Sequence, residues 1–135
     1  MKKRAFLALM LLATAVLTGC KKEPDIREDF VGIYSVTETW TENNKTISKP
    51  VFSMPIYKSS LDINLLLLNN FSNYGVGITA EATVSGNMLT IPQQTLPNLM
   101  SINGLGTLTG TTLTFTHTES FNGISINITT TAILK

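Results

Sequence analysis

From residue 30 to the C-terminus, apolar and polar positions alternate with a period of two. Ile78, Ala80, Ala82 and Val84 share one parity, while Thr79, Glu81 and Thr83 share the other. Leu113, Phe115 and His117 alternate with Thr112, Thr114, Thr116 and Thr118, and Ile124, Ile126 and Ile128 alternate with Ser125, Asn127 and Thr129. Successive side chains of a strand point to opposite faces, so this pattern predicts strands with one apolar and one polar face. Turn-forming residues fall between the segments at Asn43-Asn44, Ser59-Ser60, Ser85-Gly86-Asn87, Thr109-Gly110-Thr111 and Asn122-Gly123. Such breakers at short spacing predict an antiparallel meander.

One hairpin occurs twice. Ala82-Thr83-Val84-Ser85-Gly86-Asn87-Met88-Leu89-Thr90-Ile91 aligns with Gly106-Thr107-Leu108-Thr109-Gly110-Thr111-Thr112-Leu113-Thr114-Phe115, each a strand end, a turn containing Gly and a new strand. Glycine suits the turn because tight hairpins need positive φ. Duplication and convergence on a good turn explain the likeness equally well.

Eight strands are expected, over about residues 30–40, 46–57, 61–69, 74–84, 88–92, 102–109, 112–119 and 124–134. Eight antiparallel strands can close into an up-and-down barrel, which removes exposed edges and leaves room for packed side chains or one small ligand. A two-sheet β-sandwich is the alternative. Pro50 and Pro55 mark the second strand as an edge strand or a broken one.

The N-terminus has a different pattern. Met1-Lys2-Lys3-Arg4 leads into an apolar run over residues 5–17 that stops at Leu17-Thr18-Gly19-Cys20, which holds the one cysteine of the chain. A basic start, an apolar run shorter than the roughly 20 residues of a spanning helix and a small-residue cleavage site read as a secretory signal peptide. Leu-Thr-Gly-Cys resembles the lipobox of bacterial lipoproteins, which implies diacylglycerol on the Cys20 sulfur and Cys20 as first mature residue. Acylation also accounts for a lone cysteine in an exported protein. The expected organisation is a signal peptide over residues 1–19, a charged flexible tether over 20–29 and a single β domain over 30–135.

Lys21 and Lys22 stand where an aspartate would favour retention at the inner membrane, so the chain resembles lipoproteins sorted to the outer membrane. Lysine followed by Glu23, Pro24 and Asp25 partly resembles a surface-export signal. Both a surface-exposed and a periplasm-facing location stay open.

Loss of the signal leaves seven basic side chains (Lys21, Lys22, Arg27, Lys45, Lys49, Lys58, Lys135) against nine acidic ones, and no basic patch to hold nucleic acid. The body is nearly uncharged and rich in Thr, Ser, Asn and Gly.

Phe30-Val31-Gly32-Ile33-Tyr34-Ser35-Val36 resembles the opening strand of lipocalin-like (calycin-like) domains, as does the Gly-Thr-Leu-Thr-Gly-Thr-Thr-Leu-Thr-Phe pattern of residues 106–115. The resemblance covers residues 30–135, and small lipoproteins of Gram-negative gut bacteria carry such domains. It implies a lipocalin-type barrel. Lipocalins proper carry Gly-x-Trp, whereas Gly32-Ile33-Tyr34 has tyrosine there, so carriage of a lipophilic ligand does not follow from the resemblance, nor does function follow from fold.

Candidate chemistry is sparse. His117 and Glu119 would share one strand face, but a metal site needs three or four ligands, so His117 is expected to be structural or solvent-facing. Glu38, Glu42, Asp62, Glu81 and Glu119 have no diagnostic spacing and are expected to be solvated. No nucleophile motif or phosphate cradle stands out, so no catalytic, metal or cofactor residue is assigned and no enzyme is expected.

Tyr34 and Trp40 share a parity, and Phe71 and Tyr74 sit in a bend; core packing is expected for them, with an exposed stacking platform as the alternative. Leu65-Leu66-Leu67-Leu68 reads as a strand buried on both faces or covered by residues 92–101, a loop that is either a lid or a plain connection. These readings make the chain a non-enzymatic, lipid-anchored outer-membrane protein that binds an unknown protein or glycan. The alternative is a carrier of a small apolar ligand in the lumen. A packed lumen leaves only the outside for binding, whereas an empty apolar cavity favours carriage.

Overall fold

The computed structural model describes residues 19–135, so the signal peptide expected over residues 1–19 lies outside the described residues except for Gly19. A 3-10 helix (Ile26–Phe30) leads into nine strands: β1 (Gly32–Glu42), β2 (Lys45–Ser48), β3 (Phe52–Lys58), β4 (Leu65–Asn69), β5 (Thr79–Ser85), β6 (Met88–Thr95), β7 (Ser101–Thr109), β8 (Thr112–Phe121) and β9 (Ile124–Leu134). Each pairs antiparallel with its neighbour, and β9 returns to β1 from Tyr34↔Leu134 to Thr39↔Thr129. The strands β1 and β3–β9 therefore form a closed eight-stranded up-and-down barrel. Closure rules out the β-sandwich.

The ninth strand comes from the break announced by Pro50. β2 pairs with residues 39–42 of β1 and β3 with residues 32–36, so together they make one interrupted second strand. Pro55 pairs with Ile33 but precedes the β3 stretch matched to β4, which begins at Ile56, so its missing N–H costs no bond on that side.

Alternation places Tyr34, Val36, Met54, Ile56, Leu66, Leu68, Ala80, Ala82, Leu89, Ile91, Leu113 and Phe115 in the lumen, all at most 1–2% exposed. Phe30, Phe71 and Leu96 enter from the connections. The lumen is thus filled by side chains. The Tyr34 hydroxyl, buried in it, donates to the Phe30 carbonyl at 3.0 Å.

Gly86 (φ +59°) and Gly110 (φ +60°) hold the first turn positions of the duplicated hairpins, where a side chain would be strained. Asn43-Asn44 and Asn122-Gly123 both have positive φ at two successive residues, the pattern of type I′ turns.

Several boundaries differ from expectation. β4 starts at Leu65 and β5 at Thr79, because residues 59–64 and 70–78 are connections, so Ser59-Ser60 is not a tight hairpin turn. Residues 92–95 belong to β6, which carries an irregularity between Ile91 and Gln94, and only 96–100 form a connection. The leucine run buries Leu66 and Leu68 alone, while Leu65 and Leu67 are half-buried on the outer face, as period two requires. The tether is shorter than expected. Arg27 is buried and paired with Asp25, and its guanidinium donates to the carbonyls of Asp62 and Leu65 at 3.1 Å, so the 3-10 helix belongs to the folded body.

Candidate functional site

The barrel has two unlike ends. The near end, where β1 begins, holds the 3-10 helix and the Gly86 and Gly110 turns. The far end collects the Asn43-Asn44 turn, the strand break at residues 49–51, the connections 70–78 and 96–100, and the Asn122-Gly123 turn. Candidate chemistry gathers at this far end.

Under it lies a buried polar cluster that the sequence reading did not foresee. Glu38, Ser72, His117, Glu119 and Thr130 are all 0–2% exposed. Glu38 and Glu119, expected to be solvated, occupy the lumen parity of β1 and β8: Glu38 continues Tyr34 and Val36, and Glu119 continues Phe115 and His117. That parity was the available signal. Glu42 and Glu81 are exposed, and so is Asp62 in its connection.

The cluster satisfies its own charges. Lys49, at the strand break, sends Nζ to Glu38 Oε2 at 2.9 Å, the Ser72 carbonyl at 2.8 Å and Ser72 Oγ at 3.1 Å, and lies 4.8 Å above the Tyr74 ring. The Ser72 hydroxyl donates to Glu38 at 2.9 Å. Tyr74 donates to Glu119 Oε2 at 2.5 Å, and His117 Nε2 lies 3.2 Å from Glu119 Oε1. No buried side-chain nitrogen or oxygen among the described residues lacks a partner.

Burial raises the Glu119 pKa, but hydrogen bonds from His117, Ser72 and Tyr74 and the Lys49 charge outweigh it, and the carboxyl is held below its ordinary value. An ionised carboxylate only accepts, so the proton between the two groups sits on His117 Nε2. Burial, together with the bond to Glu119 and the two carboxylate charges, pushes the Tyr74 hydroxyl well above its ordinary value.

Ser72 Oγ is 3.4 Å from the same His117 Nε2 that faces Glu119, while Thr130 takes Nδ1 at 3.4 Å. In a serine–histidine–acid triad the hydroxyl and the acid use opposite ring nitrogens. Here they crowd one nitrogen, and the serine proton is directed to Glu38. The arrangement is a closed ionic lock.

The bend over the mouth is held in strained backbone. Asn70 (φ 55°), Ser72 (φ 52°) and Asn73 (φ 60°) are left-handed, which asparagine adopts readily and which costs Ser72 about 1 kcal/mol or more. Phe71 drops into the lumen, 4.9 Å from the His117 ring and 6.3 Å from Phe115. Of the aromatics singled out, Tyr34 and Phe71 are core; Trp40 is half-buried and Tyr74 is 37% exposed, both at the far end.

Beyond the Thr39↔Thr129 pair the β1–β2 and β8–β9 hairpins diverge as two arms. A cleft of about 530 Å³ between them is lined by Thr39, Trp40, Thr41, Thr46, Ser125, Ile126, Asn127 and Thr129. A second open cleft, about 620 Å³, runs over the outer wall of β6–β9 past Thr90, Asn103, Leu105, Thr116 and Asn127. Apart from the buried His117 in the larger cleft, the residues lining both clefts are hydroxyl, amide and apolar residues and a glycine, with no carboxylate or ammonium. Cys20 is exposed and precedes the 3-10 helix in the chain.

No family model matches the chain, and no curated protein matches it. Among solved structures it is similar to the crystal structure of a putative outer membrane protein from Bacteroides fragilis NCTC 9343, with a TM-score of 0.53 and 16% identity over 82% of this chain and 53% of that one. The chain thus spans about half the length of that structure. The likeness is one of fold.

Proposed function

We propose that the chain is a lipid-anchored outer-membrane lipoprotein whose calycin-like barrel binds a partner on its outer surface and catalyses no reaction. The observation that carries this reading is the filled lumen: Tyr34, Phe30, Phe71, Phe115 and the ionic lock occupy the space a carried ligand would need. A binding role then falls to the open clefts of the wall and the far end. The fold likeness to a putative outer membrane protein and the Leu17-Thr18-Gly19-Cys20 motif support the location. With acyl chains on Cys20, the near end faces the membrane and the far end points away from it.

Two measurements test the reading. The Cys20→Ser protein loses fatty-acid labelling and leaves the detergent-rich fraction; retained label would refute acylation at Cys20. Native mass spectrometry of the protein released from detergent shows the bare polypeptide mass plus its acyl groups. A reproducible additional lipid-sized mass would instead establish carriage.

A further inference from the structure

The ladder that closes the barrel stops short of the ends of its two strands. Lys135 N donates to the Ile33 carbonyl at 3.0 Å, and Ser35↔Ile133, Thr37↔Thr131 and Thr39↔Thr129 follow at steps of two. Odd-numbered residues of β9 therefore turn their N–H and C=O groups toward β1. Even-numbered ones turn toward β8, as the bond from Leu134 N to the Thr111 carbonyl shows.

Continued past Thr129, the series reaches Asn127 and Ser125 on β9, and past Thr39 it reaches Thr41 on β1. None of the three has a ladder partner on that side among the described residues, and all three line the cleft between the arms. A closed barrel has thus been left with two free strand edges that face each other.

We propose that this opening is a receptor for an extended, uncharged polypeptide segment, which adds as a strand to the free edge of β9 between the arms. The proposal rests on the binding reading above and names the class of partner. Three features select this occupant. Backbone donors and acceptors at a two-residue repeat are matched by another extended backbone, which continues the ladder that Thr39↔Thr129 ends.

The second feature is the lack of protection. Exposed edges are ordinarily blunted by lysine, proline or a bulge, yet residues 124–128 read Ile-Ser-Ile-Asn-Ile and pair with β8 in unbroken register. Ile124 is 72% and Ile126 38% exposed on the side to which Trp40 also turns. An added strand lays every second side chain on that apolar floor. The third feature is charge: none of the eight lining residues is ionisable, so a charged segment would be desolvated without a partner.

Trp40 is the one tryptophan of the chain, so its emission reports on the cleft. The experiment uses the full chain purified in detergent and an uncharged, end-capped peptide alternating threonine and isoleucine. Hydrogen exchange of the free protein finds the Thr41, Ser125 and Asn127 amides fast. Saturation with peptide slows them about tenfold or more and shifts Trp40 emission to shorter wavelength in a titratable manner. Ser125→Pro removes an N–H aimed at the cleft and leaves the even-numbered bonds to β8, so it weakens binding about tenfold or more. A peptide N-methylated at alternate residues, tested on the unmodified protein, loses affinity likewise.

Amides already slow in the free protein at every concentration overturn the proposal. So does a peptide that neither slows them nor moves Trp40 emission at millimolar concentration, or an N-methylated peptide that binds equally well. Protection that grows with protein concentration, without peptide, assigns the edge to a second copy and also overturns it. Each of these outcomes leaves the acyl and mass measurements of the binding reading untouched, so the two can fail separately.

Discussion

At the residue scale, the notable departure from expectation is a pair of glutamates placed where the alternation calls for apolar side chains. An unpaired carboxylate in a barrel lumen would cost several kcal/mol, and Glu38 and Glu119 are tolerated because Lys49, Ser72, Tyr74 and His117 supply donors to them. The pH dependence follows from the shifts. Glu119 has a lower pKa folded than unfolded, so the unfolded chain binds more protons as pH drops below the ordinary carboxylate range. Its contribution to stability is present above that range and is lost as pH falls through the folded value. Asp25, held down by the Arg27 guanidinium, acts in the same direction. Glu119→Gln is therefore expected to flatten the acid limb of a urea-stability profile while lowering stability near neutrality by about 1–3 kcal/mol. Tyr74 and Tyr34 have raised values, so their contribution is present below about pH 10 and disappears as pH rises further. Tyr74→Phe should make the alkaline decline shallower, and an unchanged alkaline limb would show that its hydroxyl does not ionise in that range.

At the scale of elements, the turns and the entry segment are the places where single changes are diagnostic. Gly86 and Gly110 face open space, so a new side chain there would meet no atom within 4 Å and only the backbone can object. Valine at φ near +60° is strained, and Gly86→Val or Gly110→Val is expected to cost more than about 1 kcal/mol each in thermal or chemical unfolding. Unchanged stability in both would mean that the turns relax freely. The 3-10 helix offers a sharper contrast. Phe30 is fully buried and Ile26 is 45% exposed, so Phe30→Ala should cost about 3–5 kcal/mol and Ile26→Ala under about 0.5 kcal/mol. Equal, small effects would return residues 26–30 to the tether. The bend at residues 70–74 belongs to the same scale. Its three left-handed residues hold Phe71 and Ser72 in the mouth, so an element that reads as a loop in sequence acts as the plug of the barrel.

At the scale of the whole molecule, closure creates two ends of different construction. The near end is finished: Arg27 ties the entry helix to the β3–β4 connection, and Lys58 pairs with Glu28 and Asp25 across it. The far end is left open by the two diverging arms, above a lock that fixes its floor. The proposed partner-binding role draws on those free edges, and the proposed anchor at Cys20 precedes the finished near end in the chain.

The period-two alternation, the Gly and Asn turns and the duplicated hairpin determined an all-β antiparallel meander with the eight strands of the barrel, one of which the structure divides in two, because side-chain parity and turn φ are local properties of the chain. Pro50 and Pro55 left an edge or a broken second strand open; the structure breaks it at residues 49–51, around Pro50, and keeps Pro55 inside β3. Closure was decided only in three dimensions: the pairing of β1 with β9 joins residues nearly a hundred positions apart, and no local pattern specifies whether a meander closes or folds into two sheets. The ionic lock depended on that closure. Glu38, Lys49, Ser72, Tyr74 and His117 lie on four separate segments, and their charges meet because the barrel brings β1, the break, the bend and β8 to one end. Parity carried the signal that Glu38 and Glu119 point inward, against the expectation that both are solvated. Only the tertiary structure supplied the lysine, serine and tyrosine that make pointing inward affordable, and only the register of β1 against β9 left Thr41, Ser125 and Asn127 with open edges.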